Sequence, residues 1–122
     1  MRLEEIRQAL DLEVAAGEER LDTEVSSGYA SDLLSDVLAH GLPGALWVTR
    51  QTHANIVAVA LMKKLAGILL VHGEKPQEDT LLKAREEHVP VLCSQMPSFE
   101  VIGRMYGLGL GSGQVNAQTA QK

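Results

Sequence analysis

Cysteine occurs once in the 122 residues, at Cys93, so no disulfide can form within the chain. A lone cysteine inside an apolar strand-like run reads as a reduced core residue. Aromatic residues make up only 3%, which argues against recognition by base stacking, because there are few rings to stack on. Positive charge is in deficit: 11 Lys and Arg stand against 16 Asp and Glu, for a net charge of −5. The electrostatic footprint of a nucleic-acid binder is therefore missing. No apolar run reaches the length of a membrane span, and residues 2–10 form a charged amphipathic stretch, not the apolar core of a signal peptide. A cytoplasmic protein is expected, with no membrane contact. The four histidines and one cysteine show no HxH, HExxH or CxxC spacing, so neither a metal nor a cofactor is expected. Also absent are a P-loop, a GxGxxG after the first strand and a GxSxG elbow. Gly107, Gly109, Gly111 and Gly113 follow a helix instead of opening one, so they do not form a phosphate cradle. These absences point away from an enzyme.

What is present is a hydrophobic fraction of 45%, enough for one folded core at this length. The pattern predicts a helix over 3–10 and strands over 12–16 and 24–30, with Gly28 marking a bend or a close backbone approach. Ser31 is the expected N-cap of a helix that carries Leu33, Leu34, Val37 and Leu38 on one face and closes at His40 and Gly41. A strand follows over 45–49. Thr52 is the expected N-cap of a helix over 54–62, apolar enough to be buried on most sides. The unbroken apolar run within 67–72 reads as a strand covered on both faces, as in a parallel sheet. A charged helix over 77–88 turns Leu81, Leu82 and Ala84 inward, and a last strand covers 89–94. The final helix, 99–108, is expected to present Phe99, Ile102 and Met105 or Tyr106 on one face. Strand–helix alternation of this kind implies right-handed crossovers and a three-layer α/β/α fold. Its sheet is mainly parallel, and antiparallel pairing of the N-terminal strands would make it mixed. Residues 1–108 form the single domain, and 109–122, rich in Gly, Gln, Ala and Ser, read as a flexible tail.

In such sheets ligands bind beyond the carboxyl ends of the strands. The residues there are Ser31 and Asp32 after the second strand, Thr49, Gln51, Thr52, His53 and Asn55 after the third, and His72 after the fourth. Thr49 to Asn55 brings hydroxyls, an amide, a cation and an imidazole to a strand-to-helix turn. The free N–H groups of a helix start favour an anion there, and the same residues read equally well as plain helix capping. Ser35 and Asp36 fit a solvated helix face. His72 with Glu74 has the composition of an acid–base pair, and more simply that of a strand end entering a loop. His40 and His88 sit at helix C-termini and read as structural.

The stretch from Leu21 through Leu108 resembles a DRTGG domain. The likeness lies in Asp22 and Val25, then in Gly28-Tyr29-x-Ser31-Asp32-Leu33-Leu34-Ser35-Asp36-Val37. It continues through Leu46-Trp47-Val48-Thr49 and Gln51-Thr52-His53-x-Asn55, then the runs at 68–71 and 89–92. The resemblance implies an α/β fold like the N-terminal domain of HPr kinase/phosphorylase and a non-catalytic, regulatory role. Such domains stand beside catalytic or CBS domains in some phosphotransacetylases and pyrophosphatases, as dimerising, nucleotide-sensing parts. The expectation is a homodimeric binding module that senses a small anionic ligand, such as an adenine nucleotide, at the strand-end edge. The alternative is a protein-interaction module that regulates a partner enzyme in trans without a small ligand.

Overall fold

Alternation along the central strands sends two separate sets of apolar side chains to opposite faces of one sheet. The computed structural model describes residues 1–114. In chain order its elements are α1 (Leu3–Leu10), β1 (Glu13–Ala16), a 3-10 turn (Glu18–Arg20), β2 (Ser27–Ala30), α2 (Leu34–His40) and β3 (Ala45–Thr49). There follow α3 (Asn55–Lys63), β4 (Gly67–Leu70), α4 (Glu78–Glu87), β5 (Val91–Cys93) and α5 (Ser98–Gly107).

The strands lie in the order β1-β5-β4-β3-β2. β2 to β5 are parallel, and Tyr29 stands opposite Trp47 and Ala30 opposite Val48. The sheet is mixed because β1 runs antiparallel to β5 at one edge. The two N-terminal strands do not pair with each other, since β2 forms the opposite edge. Right-handed crossovers that all step in one direction place α2, α3 and α4 on one face. There Val37, Ile56, Val57, Ala60 and Ala84 pack on Trp47, Ile68, Leu70 and Val91. On the other face α1 and α5 bring Leu3, Ile6, Leu10, Val101 and Met105 onto Leu46, Val48, Leu69 and Leu92. The result is the three-layer α/β/α fold.

The helix starts depart from the expected caps. α2 begins at Leu34, and Ser31 Oγ accepts the Leu33 amide at 3.1 Å, closing a turn that precedes the helix instead of capping it. α3 begins only at Asn55, so Thr52 lies too far upstream to cap it. The outward faces are also more apolar than expected. α3 buries Ile56, Val57, Val59 and Ala60 but exposes Leu61 and Met62. Leu33 and Leu38 point to solvent, and so does Leu82 of α4, whose inner face carries Thr80 and Ala84 instead. In α5 the core takes Val101 and Met105, one turn apart. Phe99 and Tyr106 are thereby rotated out, 87% and 72% exposed, with Ile102 partly so.

The expected tail begins inside the packed body. Leu110 is 7% exposed and belongs to the α1/α5 core. The Gly28 amide donates to the Gly111 carbonyl at 2.8 Å, so this segment covers part of the β2 edge. Gln114 Nε2 donates to the His40 carbonyl at 2.7 Å. Residues 115–122 of that expected tail lie outside the described residues.

Candidate functional site

The carboxyl ends of β2 and β3 are tied together by one carboxylate. Asp32 Oδ1 accepts the Thr49 hydroxyl at 2.8 Å and the Arg50 amide at 2.7 Å. Gln51 braces the same corner, its Nε2 donating to the Asp32 carbonyl at 2.9 Å and its amide to Thr49 Oγ1 at 3.2 Å. No hydrogen bond from the described residues reaches the second Asp32 oxygen. Below this corner Trp47 Nε1 donates to the Ser31 carbonyl at 2.8 Å. The indole thus fixes the exit of β2 from beneath.

Two connected hollows open from the corner. A crevice of about 210 Å³ is lined by Ala30, Ser31, Asp32, Val48, Thr49 and Ser98. A larger cleft of about 770 Å³ shares Ala30 and Val48 with it. The floor of that cleft is Gly28, Ala30 and Val48, one wall is Ile102, Met105 and Tyr106 of α5, and one end is Leu110 to Gly113. A β-carbon at Gly28 would come within 2.9 Å of Met105 Cε, the end of a flexible side chain, so a substitution there would displace that methyl group and take space from the cleft. The cleft lining is mostly apolar, and the polar side chains Ser31, Asp32, Thr49 and Ser98 line the adjoining crevice. This is the usual design of a small-molecule site, and the volume falls in the usual range.

The structure divides the residues singled out in the sequence. Ser31, Asp32 and Thr49 line the crevice, and Gln51 holds it in shape. Thr52 serves α4 instead: its carbonyl accepts the Gln77 amide at 3.1 Å and the buried Thr80 hydroxyl at 2.7 Å. His53 and Asn55 line neither hollow. His53 starts α3 through its carbonyl, which accepts the Ile56 amide, and its Nδ1 is buried without a partner. His72 has a left-handed backbone (φ 60°), and its Nε2 accepts the Ser98 amide at 3.1 Å, satisfying the first turn of α5. It does not pair with Glu74, whose carboxylate lies 3.8 Å from the Arg50 guanidinium.

Around the site, Tyr29 donates to Asp36 Oδ2 at 2.8 Å, and the His40 ring meets Asp36 Oδ1 at 3.1 Å. The Tyr29 hydroxyl, with that of Ser31 and the His40 ring, holds the Asp36 carboxyl below its ordinary range. Burial and the same carboxylate push the Tyr29 phenol up. Burial also pushes the Cys93 thiol up, in keeping with a core residue. Among the described residues no group of three or more His, Cys, Asp or Glu is placed to hold a metal. No helix among them is long and apolar enough to cross a membrane.

Ile102, Met105, Tyr106 and the 110–113 segment were missed as site residues. The available signal was the competition of two apolar stripes on α5, Val101/Met105 and Phe99/Ile102/Tyr106, only one of which can face the core.

The chain is similar to a solved regulatory fragment: the CBS and DRTGG domains of the regulatory region of Clostridium perfringens pyrophosphatase, complexed with its activator diadenosine tetraphosphate. The TM-score is 0.70 at 15% identity, a likeness of fold, over 95% of this chain. This chain spans 53% of that one. No curated protein matches significantly by sequence. The DRTGG domain profile matches residues 5–108, nearly the whole described body, and the chain belongs to the DRTGG domain family.

Proposed function

We propose that this chain is a non-catalytic regulatory module that binds an adenine nucleotide in the cleft over β2 and β3. The observation that carries this reading is the cleft of about 770 Å³, apolar along α5, with the crevice of about 210 Å³ that holds Asp32 beside it. An apolar slot beside Tyr106, floored by Gly28 and Ala30, suits a flat base. A carboxylate with one oxygen unengaged suits the hydroxyls of a ribose, the role an acidic residue plays in dinucleotide folds. No cation lines either hollow, so the phosphates extend into solvent from this end. The expected anion site at Thr52 to Asn55 gives way to this arrangement. A domain of the same fold forms part of a pyrophosphatase regulatory region whose activator is an adenine-containing polyphosphate.

The test is a thermal-shift titration with adenosine, its mono- to triphosphates and diadenosine polyphosphates. At a hundred times its dissociation constant a ligand stabilises the fold by about 2.7 kcal/mol, an easily measured rise. The rise should disappear in Asp32→Asn and Tyr106→Ala and survive in His53→Ala and Asn55→Ala. A flat panel overturns the reading.

A second reading is favoured by the exposed Leu38, Leu61, Met62 and Leu82 across α2, α3 and α4. Such a surface fits a module that docks on a partner enzyme in trans. A flat nucleotide panel together with a partner whose binding is lost in Met62→Asp would establish it.

A further inference from the structure

A third hollow, of about 340 Å³, lies at the other rim of the sheet, where β3, β4 and β5 begin. Gly44, Ala66 and Pro90, the residues that lead into those strands, line it. So do Arg20, Thr23, Lys64 and His88. In a chain of net charge −5 this is a local excess of basic groups. Neither Arg20 nor Lys64 makes an ion pair with another described residue. Glu87 is the acidic residue of the lining, and its carboxylate lies 3.8 Å from Lys83 Nζ. The His88 ring is held by Glu19, with Nδ1 2.7 Å from Oε1.

The backbone holds these side chains in place. Gly17 is left-handed at φ 81°, and a β-carbon there would collide with the Pro90 backbone. The 3-10 turn that it opens carries Arg20. The Lys64 carbonyl accepts the Gly44 amide at 2.9 Å. Lys64 and His88 end α3 and α4 in the left-handed region, at φ 55° and 56°, where glycine is the less strained choice. Asp11 ends α1 in the same way but does not line the hollow. The last carbonyls of α3 and α4 already accept the Lys64, Leu65, His88 and Val89 amides, so no basic side chain is needed to cap them.

We propose that this hollow is a second binding site, which takes the phosphate of a small organic phosphate monoester. The Arg20 guanidinium and the Lys64 ammonium bring two positive charges to the dianion, and the guanidinium fork matches two of its oxygens. The Thr23 hydroxyl adds a neutral donor, and the His88 ring closes one side. The apolar part of the lining, Ala60, Leu65, Val89 and Pro90, leaves room beside the phosphate for a short carbon skeleton. The site is at the opposite end of the strands from Asp32, and it holds or fails independently of the nucleotide cleft.

Titration of the full chain with glycerol phosphate, followed by amide proton–nitrogen correlation spectra, tests the site. Saturable shifts are expected at Arg20, Thr23, Gly44, Lys64 and His88, with Ala30, Ser31 and Asp32 unmoved. Sodium chloride at matched ionic strength should not reproduce them. Arg20→Ala and Lys64→Gly should each weaken binding by about tenfold or more, as loss of a charged partner does. Lys64→Gly should also melt no lower than wild type, because glycine fits the left-handed position, so its loss of binding is not a loss of fold. Inorganic phosphate should move the same amides at lower affinity, and equal affinity would overturn the organic part of the assignment. Shifts that sodium chloride matches, shifts confined to the Asp32 end, or affinity unchanged in both variants would each overturn the site.

Discussion

Three helices cover one face of the sheet and two cover the other. On the three-helix face the residues under the cover are large: Trp47 is fully buried, with Ile56, Val57 and Ile68 against it. At the β2 end of the two-helix face they are Gly28, Ala30 and Val48, and space remains above them. One sheet thus has a closed side that carries stability and a partly open side that has room for a ligand. α5 reaches over β2 and β3, and the cleft is the space left between its outer side and the β2 edge.

The largest expected effect would break the closed side. Trp47→Ala removes the biggest buried side chain and should cost about 3–5 kcal/mol by urea denaturation. Tyr106→Ala, a comparable truncation on the open side, should stay within about 0.5 kcal/mol. A large loss at Tyr106 would mean that the open side is not open. Gly28→Val would fill the floor of the cleft and press on Met105, at a cost of about 1–3 kcal/mol, with nucleotide binding lost as well.

Smaller effects sharpen the same contrast. Thr80→Val deletes a buried hydroxyl bond to the Thr52 carbonyl and should cost about 1 kcal/mol. Thr52→Ala leaves that carbonyl in place and should change stability by less than about 0.5 kcal/mol, whereas loss of a true N-cap would cost about 1 kcal/mol. The smallest effect is a pH dependence. The Asp36 carboxyl is held below its ordinary 3.8, chiefly by the Tyr29 hydroxyl. A depressed carboxyl contributes stability that is full above its ordinary value and is lost as pH falls through the depressed one. Tyr29→Phe should therefore melt lower than wild type at pH 7, and the gap should narrow below about pH 4. A gap that stays constant into acid would remove Asp36 from that role.

The layers and the mainly parallel sheet were legible because they depend on apolar periodicity and on crossover handedness. Helix facing was less legible. In α5 both stripes are apolar, and only the packing of Val101 and Met105 against Leu46 and Val48 decides between them. Site residues divided along the same line. Ser31 and Asp32 follow β2 directly and Thr49 ends β3, so position along the chain was enough to place them beside the crevice. Thr52, His53 and His72 follow strands equally closely, yet their polar groups serve α4, α3 and α5. What separates the two groups is which loop crosses which, information carried by the return of α5 over β2. The stretch after α5 has the composition of a mobile tail, but buried Leu110 and the hydrogen bonds of Gly111 and Gln114 hold its described part to the body.

The two ends of the described residues meet at one stretch, the approach to β2 and its first residue. The Met1 carbonyl accepts the Val25 amide at 2.7 Å, while Gly113 lies against Ser27, two residues further on. A body entered and left at one point can be spliced into a surface loop of another protein without stretching either host or guest.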